Sequence, residues 1–272
     1  MERIDLHIHT DYSDGTHTPQ EVVQMARDAS LRAIAVTDHD TMEGWEALGP
    51  VEGIEIIPGI ERKAEWEGTE IHVLGYNVSW DILRDHARII EERNRRNAAV
   101  VELLRADGIP ISMEELAARK KGVIGRPHIA QLLVDKGYFP TVRRAFDEWL
   151  GEGQKYYVPL RRQSVPEVAA ELRDAGGVVV LAHPQEYGLS DSDLRRLLAL
   201  CRDCGFSGME VWYSGYTDEY IRYLLGLCKE FGLLPSGGSD YHGERRPERI
   251  IGGVEATYDL WVALKAQGGM NR

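Results

Sequence analysis

Residues 5–15 read DLHIHTDYSDG, a short alternating run that places His7 and His9 two positions apart. Period-two alternation is the signature of a β-strand, so both imidazoles leave the same face and can grip one ion together. A single H-x-H is more often inert than not, and its weight here comes from recurrence. Other β-rich runs bring further metal-ligand types: His39 in VTDHD (36–40), Glu61 in IIPGIE (56–61), His72 in EIHVLGY (70–76), His183 in VLAHP (180–184), and Asp240 with His242 in GGSDYH (237–242). Asp14 closes the first run.

The runs RIDLHIH, RAIAVTDHD, IEIIPGIE, EIHVLGY, GVVVLAHP, GMEVWY and LLPSGGSDYH read as strands separated by amphipathic helices. One such helix starts at Pro19 behind Thr18 as N-cap, and another is closed by Gly232. This alternation predicts an α/β fold with a parallel sheet or barrel. In parallel barrels the strand C-terminal ends surround one cleft, so ligand types far apart in sequence converge into a cage for several ions. A carboxylate such as Glu61 can bridge two of them. A His/Asp/Glu set without cysteine suits Zn, Mn or Fe. The alternative, individually satisfied histidines, would leave many buried polar groups unpaired. It is the preferred reading only for His17 and His86, on a loop and a helix.

A chain of 272 residues with 43% apolar content can bury one large core. Strand signals vanish between about 80 and 157, where helical patterns appear near 82–106, Met113, Pro127 and Thr141. The expected organisation is therefore a barrel domain of residues 1–79 and 158–272 with a helical insertion domain, 80–157. Residues 80–160 hold 14 Lys/Arg against 12 Asp/Glu and the remainder 18 against 32, so the insertion is the less acidic part. The net charge of −12 argues against a broad footprint for duplex nucleic acid. No window approaches the roughly 18 apolar residues of a membrane span, and the charged first residues lack a leader's apolar core. A soluble, cytoplasmic protein without membrane contact is expected. Cys201 and Cys204 form a C-x-x-C with no second pair, read as reduced thiols on a helix ending near Gly205.

DLHIHTDYSDG, VTDHD, LAHP and GSDYHG, in that order, resemble the four motifs of the PHP (polymerase and histidinol phosphatase) family of metallo-phosphoesterases. The resemblance runs through the chain outside the insertion. It implies a distorted (β/α)7 TIM-like barrel of the PHP type, holding two or three divalent ions. Carried over by motif, His7, His9, Glu61 and Asp240 surround the first ion, Glu61, His72 and His183 the second, and Asp14, His39 and His242 the third. The implied chemistry is attack on phosphorus by a metal-bound hydroxide, with adjacent cations neutralising the phosphoryl and leaving oxygens. Asp14 and Asp240 are then ligands first.

Within the insertion, IGRPHIA sets Arg126 and His128 beside a helix start at Pro127, a place suited to an anion. A helical insertion after HVLGY that contains this R-P-H and returns through YVP is similar to the PHP subgroup acting on nucleotides, including nucleoside 3′,5′-bisphosphates and short RNA 5′ ends. That likeness implies contacts from Arg126 and His128 to substrate phosphate, with His128 protonating the leaving group. Lys155, Arg161 and Arg162 are further candidates for a second phosphate. Two departures stand out: Leu160 follows YVP where a basic residue is usual, and Trp212 and Tyr213 replace a Tyr-His pair. Glu210 is read as supporting rather than ligating.

The expected activity is removal of the 3′-phosphate of a nucleoside 3′,5′-bisphosphate, with short oligonucleotides as rival substrates of a 5′-to-3′ exonuclease. An exonuclease needs a stacking track, for which Trp149, Tyr156 and Tyr157 near Lys155 are available. Histidinol phosphate phosphatase and a non-catalytic metal-binding module rank below these. Gly122, Gly125 and Gly151 could act as hinges if the insertion moves.

Overall fold

A computed structural model describes residues 2–80, 87–118, 124–159 and 163–270. Of the residues singled out above, His86, Gly122, Leu160, Arg161 and Arg162 lie outside the described residues. The chain divides into two compact units, Met1–Leu83 with Arg162–Arg272, and Arg84–Arg161.

The first unit is built on seven strands: β1 (Ile4–Ile8), β2 (Ala33–Val36), β3 (Glu55–Trp66), β4 (Thr69–Tyr76), β5 (Val178–Leu181), β6 (Gly208–Tyr213) and β7 (Leu234–Gly238). They lie side by side in sequence order. The outer two also meet: His9 N–H donates to the Tyr241 carbonyl at 2.9 Å, and Ser239 N–H donates to the Asp5 carboxylate at 2.8 Å. The sheet is thereby a nearly closed barrel. Its helices are α1 (Pro19–Asp28) and, after an insertion carrying α2 (Ala87–Ala106), α3 (Met113–Ala118) and α4 (Arg126–Asp135), α5 (Val165–Asp174), α6 (Asp191–Asp203), α7 (Asp218–Phe231) and α8 (Tyr258–Met270).

Local sequence explains where the elements begin and end. The Thr18 hydroxyl accepts from Glu21 N–H while the Glu21 carboxylate accepts from Thr18 N–H at 2.8 Å, a reciprocal cap that starts α1 at Pro19. Val22, Val23 and Ala26 then share a cluster with Ile8 and Ile34. Thr217 caps α7, and Gly232 ends it in the left-handed region, where glycine carries no Cβ penalty. On α5, Leu172 is fully buried among Ile71, Val73 and Val179, where truncation to alanine would cost about 2–5 kcal/mol.

One strand departs from the expected all-parallel pattern. β4 runs antiparallel to both β3 and β5. The two-residue turn Glu67-Gly68 has positive φ at both positions, +50° and +82°, the geometry of a tight hairpin whose twist matches its strands. β3 is accordingly twelve residues long, and Glu61 lies inside it rather than at its end. His72 is likewise not at a C-terminal strand end. Because β4 is reversed, its first half reaches the barrel end where the parallel strands finish. At the seam, a Cβ on Gly238 would stand 2.3 Å from His7 Cβ, so only glycine lets β7 pass β1 so closely.

The second unit has its own core, including Val100, Leu104, Ile129, Leu133 and Leu150. Trp149 packs edge-on against Phe139 and Tyr156, and buried Tyr156 donates its hydroxyl to Asp107 at 2.6 Å. Tyr156, a candidate for a stacking track, is thus a core member of this unit, whereas Trp149 is half-buried and packs against that core. Among the described residues no helix is long and apolar enough to cross a membrane.

Candidate metal centre

The nine His, Asp and Glu residues expected to form a cage stand together in the first unit. Glu61 is their hub. Its Oε1 lies 2.8 Å from His72 Nδ1, 3.1 Å from His183 Nε2 and 3.4 Å from His7 Nε2; its Oε2 lies 2.8 Å from His39 Nδ1 and 3.3 Å from His9 Nε2. Asp240 turns Oδ1 to His7 and His9, at 3.3 and 3.2 Å. Asp14 faces His242 Nε2 at 3.2 Å and His39 Nε2 at 3.6 Å. Four sets of donor atoms lie mutually within 4.8 Å: His9, Asp14, His39 and His242; His7, His9 and Asp240; His7, Glu61 and His183; and His39, Glu61 and His72. The sequence-based grouping differs in detail, since His72 here clusters with His39 and His183 with His7, and both pairs share Glu61.

The donor chemistry fits divalent cations. His39 Nδ1, Glu61 Oε2 and Asp14 Oδ1 are buried yet form no aligned hydrogen bond, although opposing groups stand close by. Groups that approach one another without aligning point to a shared centre, as metal ligands do. Burial alone would push the His7 and His9 imidazoles toward neutrality. The surrounding carboxylates outweigh it, raising His7 well above its usual value and His9 to about 10. Burial also opposes ionisation of Glu61, Asp14 and Asp240, but the histidines hold all three well below the usual carboxylate range. At His39 burial prevails, and its pKa falls. Such a nest of carboxylates demands cations, whether protons or metal ions.

Further residues aim the donors. His7 Nδ1 is held by Glu210 at 3.0 Å, which leaves Nε2 for the cage. Glu210 also accepts from His183 N–H at 2.7 Å, consistent with the supporting role read from its place on β6. His9 Nδ1 meets the Ser13 hydroxyl at 3.3 Å; Ser13 in turn donates to buried Asp38, which also accepts from Thr10. His72 Nε2 meets Glu70 at 3.2 Å, and Glu70 is paired with Lys63 at 2.7 Å. Asp240 Oδ2 accepts from the Tyr213 hydroxyl at 2.8 Å and from buried Arg249. Sequence reasoning missed Ser13, Asp38, Glu70 and Arg249 as supports. His183 and Asp240 both have positive φ, +20° and +53°, backbone strain of the kind that collects at functional sites. His17 stands apart, its Nδ1 paired with the Tyr241 hydroxyl at 2.9 Å.

In the second unit, Gly125 N–H donates to His128 Nδ1 at 2.9 Å, so the neutral imidazole carries its proton on Nε2. Arg126 lies over the Tyr157 ring at 5.4 Å and donates to the Leu150 carbonyl. Lys155 is paired with Asp107 at 2.6 Å.

A nearly closed barrel with helices around it and a His/Asp/Glu nest at one end of it defines the metallohydrolase class of α/β barrel. The chain belongs to the PHP domain family, whose model matches residues 5–160. A 5′-3′ exoribonuclease of Haemophilus influenzae is 32% identical over 247 residues, covering 89% of this chain and 90% of the relative. A 3′,5′-nucleoside bisphosphate phosphatase of Chromobacterium violaceum is 30% identical over 280 residues, 98% of both chains. A solved structure from Bifidobacterium adolescentis, inferred to be a metal-dependent phosphoesterase, superposes with a TM-score of 0.84 at 35% identity, covering 100% of this chain and 99% of that one.

Proposed function

We propose that this metal-dependent phosphoesterase of the PHP family removes the 3′-phosphate of a nucleoside 3′,5′-bisphosphate, turning 3′,5′-bisphosphoadenosine into AMP and phosphate. The observation that carries the metal-dependent chemistry of this reading is Glu61, whose two oxygens face different sets of histidines, so that one carboxylate would serve more than one ion. His7, His9, Asp14, His39, Glu61, His72, His183, Asp240 and His242 would hold two or three divalent ions, drawn from Mn, Zn and Fe. Such ions supply an activated water and charge neutralisation at phosphorus when bound.

The protein's own groups do the rest. Glu210 and Glu70 keep His7 and His72 turned inward. Asp240, with Oδ2 occupied by Tyr213 and Arg249, presents only Oδ1 to the site and serves as a ligand, not as a base. Arg126 is assigned to hold a substrate phosphate. His128, whose Nδ1 accepts from Gly125 N–H, is assigned to hydrogen-bond the leaving oxygen through its Nε2–H. The whole-length likeness to the bisphosphate phosphatase supports this substrate.

Trimming of RNA from its 5′ end is the second reading, supported by likeness to the exoribonuclease. The burial of Tyr156 weakens it by removing one of three candidate stacking residues. Manganese-loaded protein, given 3′,5′-bisphosphoadenosine and separately a short 5′-phosphorylated RNA, should release AMP and phosphate and leave the RNA intact. RNA shortened to mononucleotides, with the bisphosphate untouched, would replace the phosphatase reading by the exonuclease one.

A further inference from the structure

The loop after His242 carries three arginines, and they are not equivalent. Arg249 turns inward and is balanced by Asp240, with Glu186 at 3.7 Å. Arg245 and Arg246 are exposed, and among the described residues neither has a carboxylate at ion-pair distance, although the chain holds 44 Asp/Glu to 32 Lys/Arg. Arg245 is nevertheless fixed in place. Its Nη1 donates to the Asp14 carbonyl at 2.8 Å. The neighbouring Glu244 N–H donates to Thr16 Oγ1 at 3.0 Å, and Gly243, at φ +68°, packs so tightly that a Cβ there would overlap that hydroxyl.

Both ends of this tether belong to the nest, since Arg245 follows His242 by three residues and grips the backbone of Asp14. That corner is also the nest's opening. The Asp14, His39 and His242 side chains are 19%, 14% and 10% exposed, against 0–1% for His7, His9 and Glu61, and His72, beside His39, continues this open side at 17%. A guanidinium offers five N–H donors, and one hydrogen bond to a carbonyl neither uses the rest nor neutralises the charge. Its position at the mouth, without a carboxylate, suits an anion entering with the substrate.

We propose that Arg245 anchors the second, non-reacting phosphate of the substrate and so selects doubly phosphorylated nucleotides over single phosphomonoesters. This rests on the phosphoesterase reading and names the side chain of the barrel unit that enforces its substrate choice. Arg246, exposed but without a tether, has no such part.

The test compares adenosine 3′,5′-bisphosphate with adenosine 3′-phosphate, which lacks only the second phosphate. kcat/KM on both is measured for manganese-loaded wild type, Arg245→Ala, Arg245→Lys and Arg246→Ala, with calorimetric binding of both nucleotides to metal-free protein alongside. In Arg245→Ala the preference for the bisphosphate should fall about tenfold, through KM, as expected for one charge-assisted contact. Arg245→Lys should recover part of it, and Arg246→Ala should keep the wild-type ratio. An Arg245→Ala ratio equal to wild type overturns the proposal while leaving the phosphatase reading standing. If wild type hydrolyses neither nucleotide, the phosphatase reading fails; the binding arm then decides, and an unchanged affinity ratio in Arg245→Ala sinks the anchor as well.

Discussion

Replacing Glu210 by glutamine changes one oxygen for an amide nitrogen and keeps the shape of a fully buried side chain. The carboxylate accepts two hydrogen bonds, from His7 Nδ1 at 3.0 Å and from His183 N–H at 2.7 Å. A carboxamide has one acceptor oxygen, so its NH2 must face one of these donors. A buried donor left without a partner costs about 1–3 kcal/mol. If the oxygen stays with His183, His7 loses the group that turns its Nε2 inward, and supports of this kind are worth roughly 10–100-fold in metal affinity. The loss of negative charge acts in the opposite direction by easing proton competition at His7, where burial lowers the pKa and Glu210 is the foremost group raising it. Orientation should dominate, because the proton leaves anyway when an ion binds. Calorimetric titration of chelator-stripped Glu210→Gln with Mn2+ should therefore show a Kd about 10–100-fold weaker than wild type. Affinity within twofold of wild type, in a variant that melts normally, would refute the reasoning.

Glu70→Gln should weaken metal binding about tenfold, the low end of the range because Glu70 is partly exposed, and the same titration checks it. Asp5→Asn should lower the metal-free melting temperature by the equivalent of about 1–3 kcal/mol, since the buried carboxylate accepts from Ser239 and Gly252 N–H beyond the β1–β7 seam and from His7 N–H within β1. An unchanged melting curve would mean the seam does not depend on it. In metal-free protein His9 and His72, raised to about 10 and about 9 by carboxylates that outweigh burial, carry protons at neutral pH. Metal binding must displace them, so affinity should rise as pH climbs from 7 toward 9 and fall on acidification. Binding heats that do not vary between buffers of different ionisation enthalpy would contradict this.

All seven strands were legible as β-rich runs ending in polar residues, although β7, LPSGG, holds no β-branched residue and β3 extends well past its run. The β3–β4 hairpin was not. The charged end of β3, RKAEW, lies outside the runs read as strands, and Glu67 is an unusual residue for a turn needing positive φ. It is a strand because β4 pairs with it along its length and because buried Arg62 is balanced by Asp40 at 2.9 Å and Glu171 at 3.3 Å. The nest was legible for a different reason: ligand residue types recur where barrel strands converge, so topology alone brings them together. Its supports were harder to see. Ser13, Asp38 and Glu70 are ordinary residue types whose partners are set by tertiary proximity, and nothing in the run GERRPER tells which arginine turns toward Asp240. The CxxC thiols, by contrast, stand where the sequence placed them, with Cys201 buried on α6 and Cys204 half-buried at its end.

The central claim is that ions gathered around Glu61 carry the hydrolysis. Elemental analysis of purified wild type and Glu61→Ala, each stripped and reloaded with Mn2+, tests it when paired with phosphate release from 3′,5′-bisphosphoadenosine. The account predicts two or three ions per chain in wild type, at least one fewer in Glu61→Ala, and activity lost together with them. Full metal content in the variant, or undiminished hydrolysis by stripped protein, would contradict it.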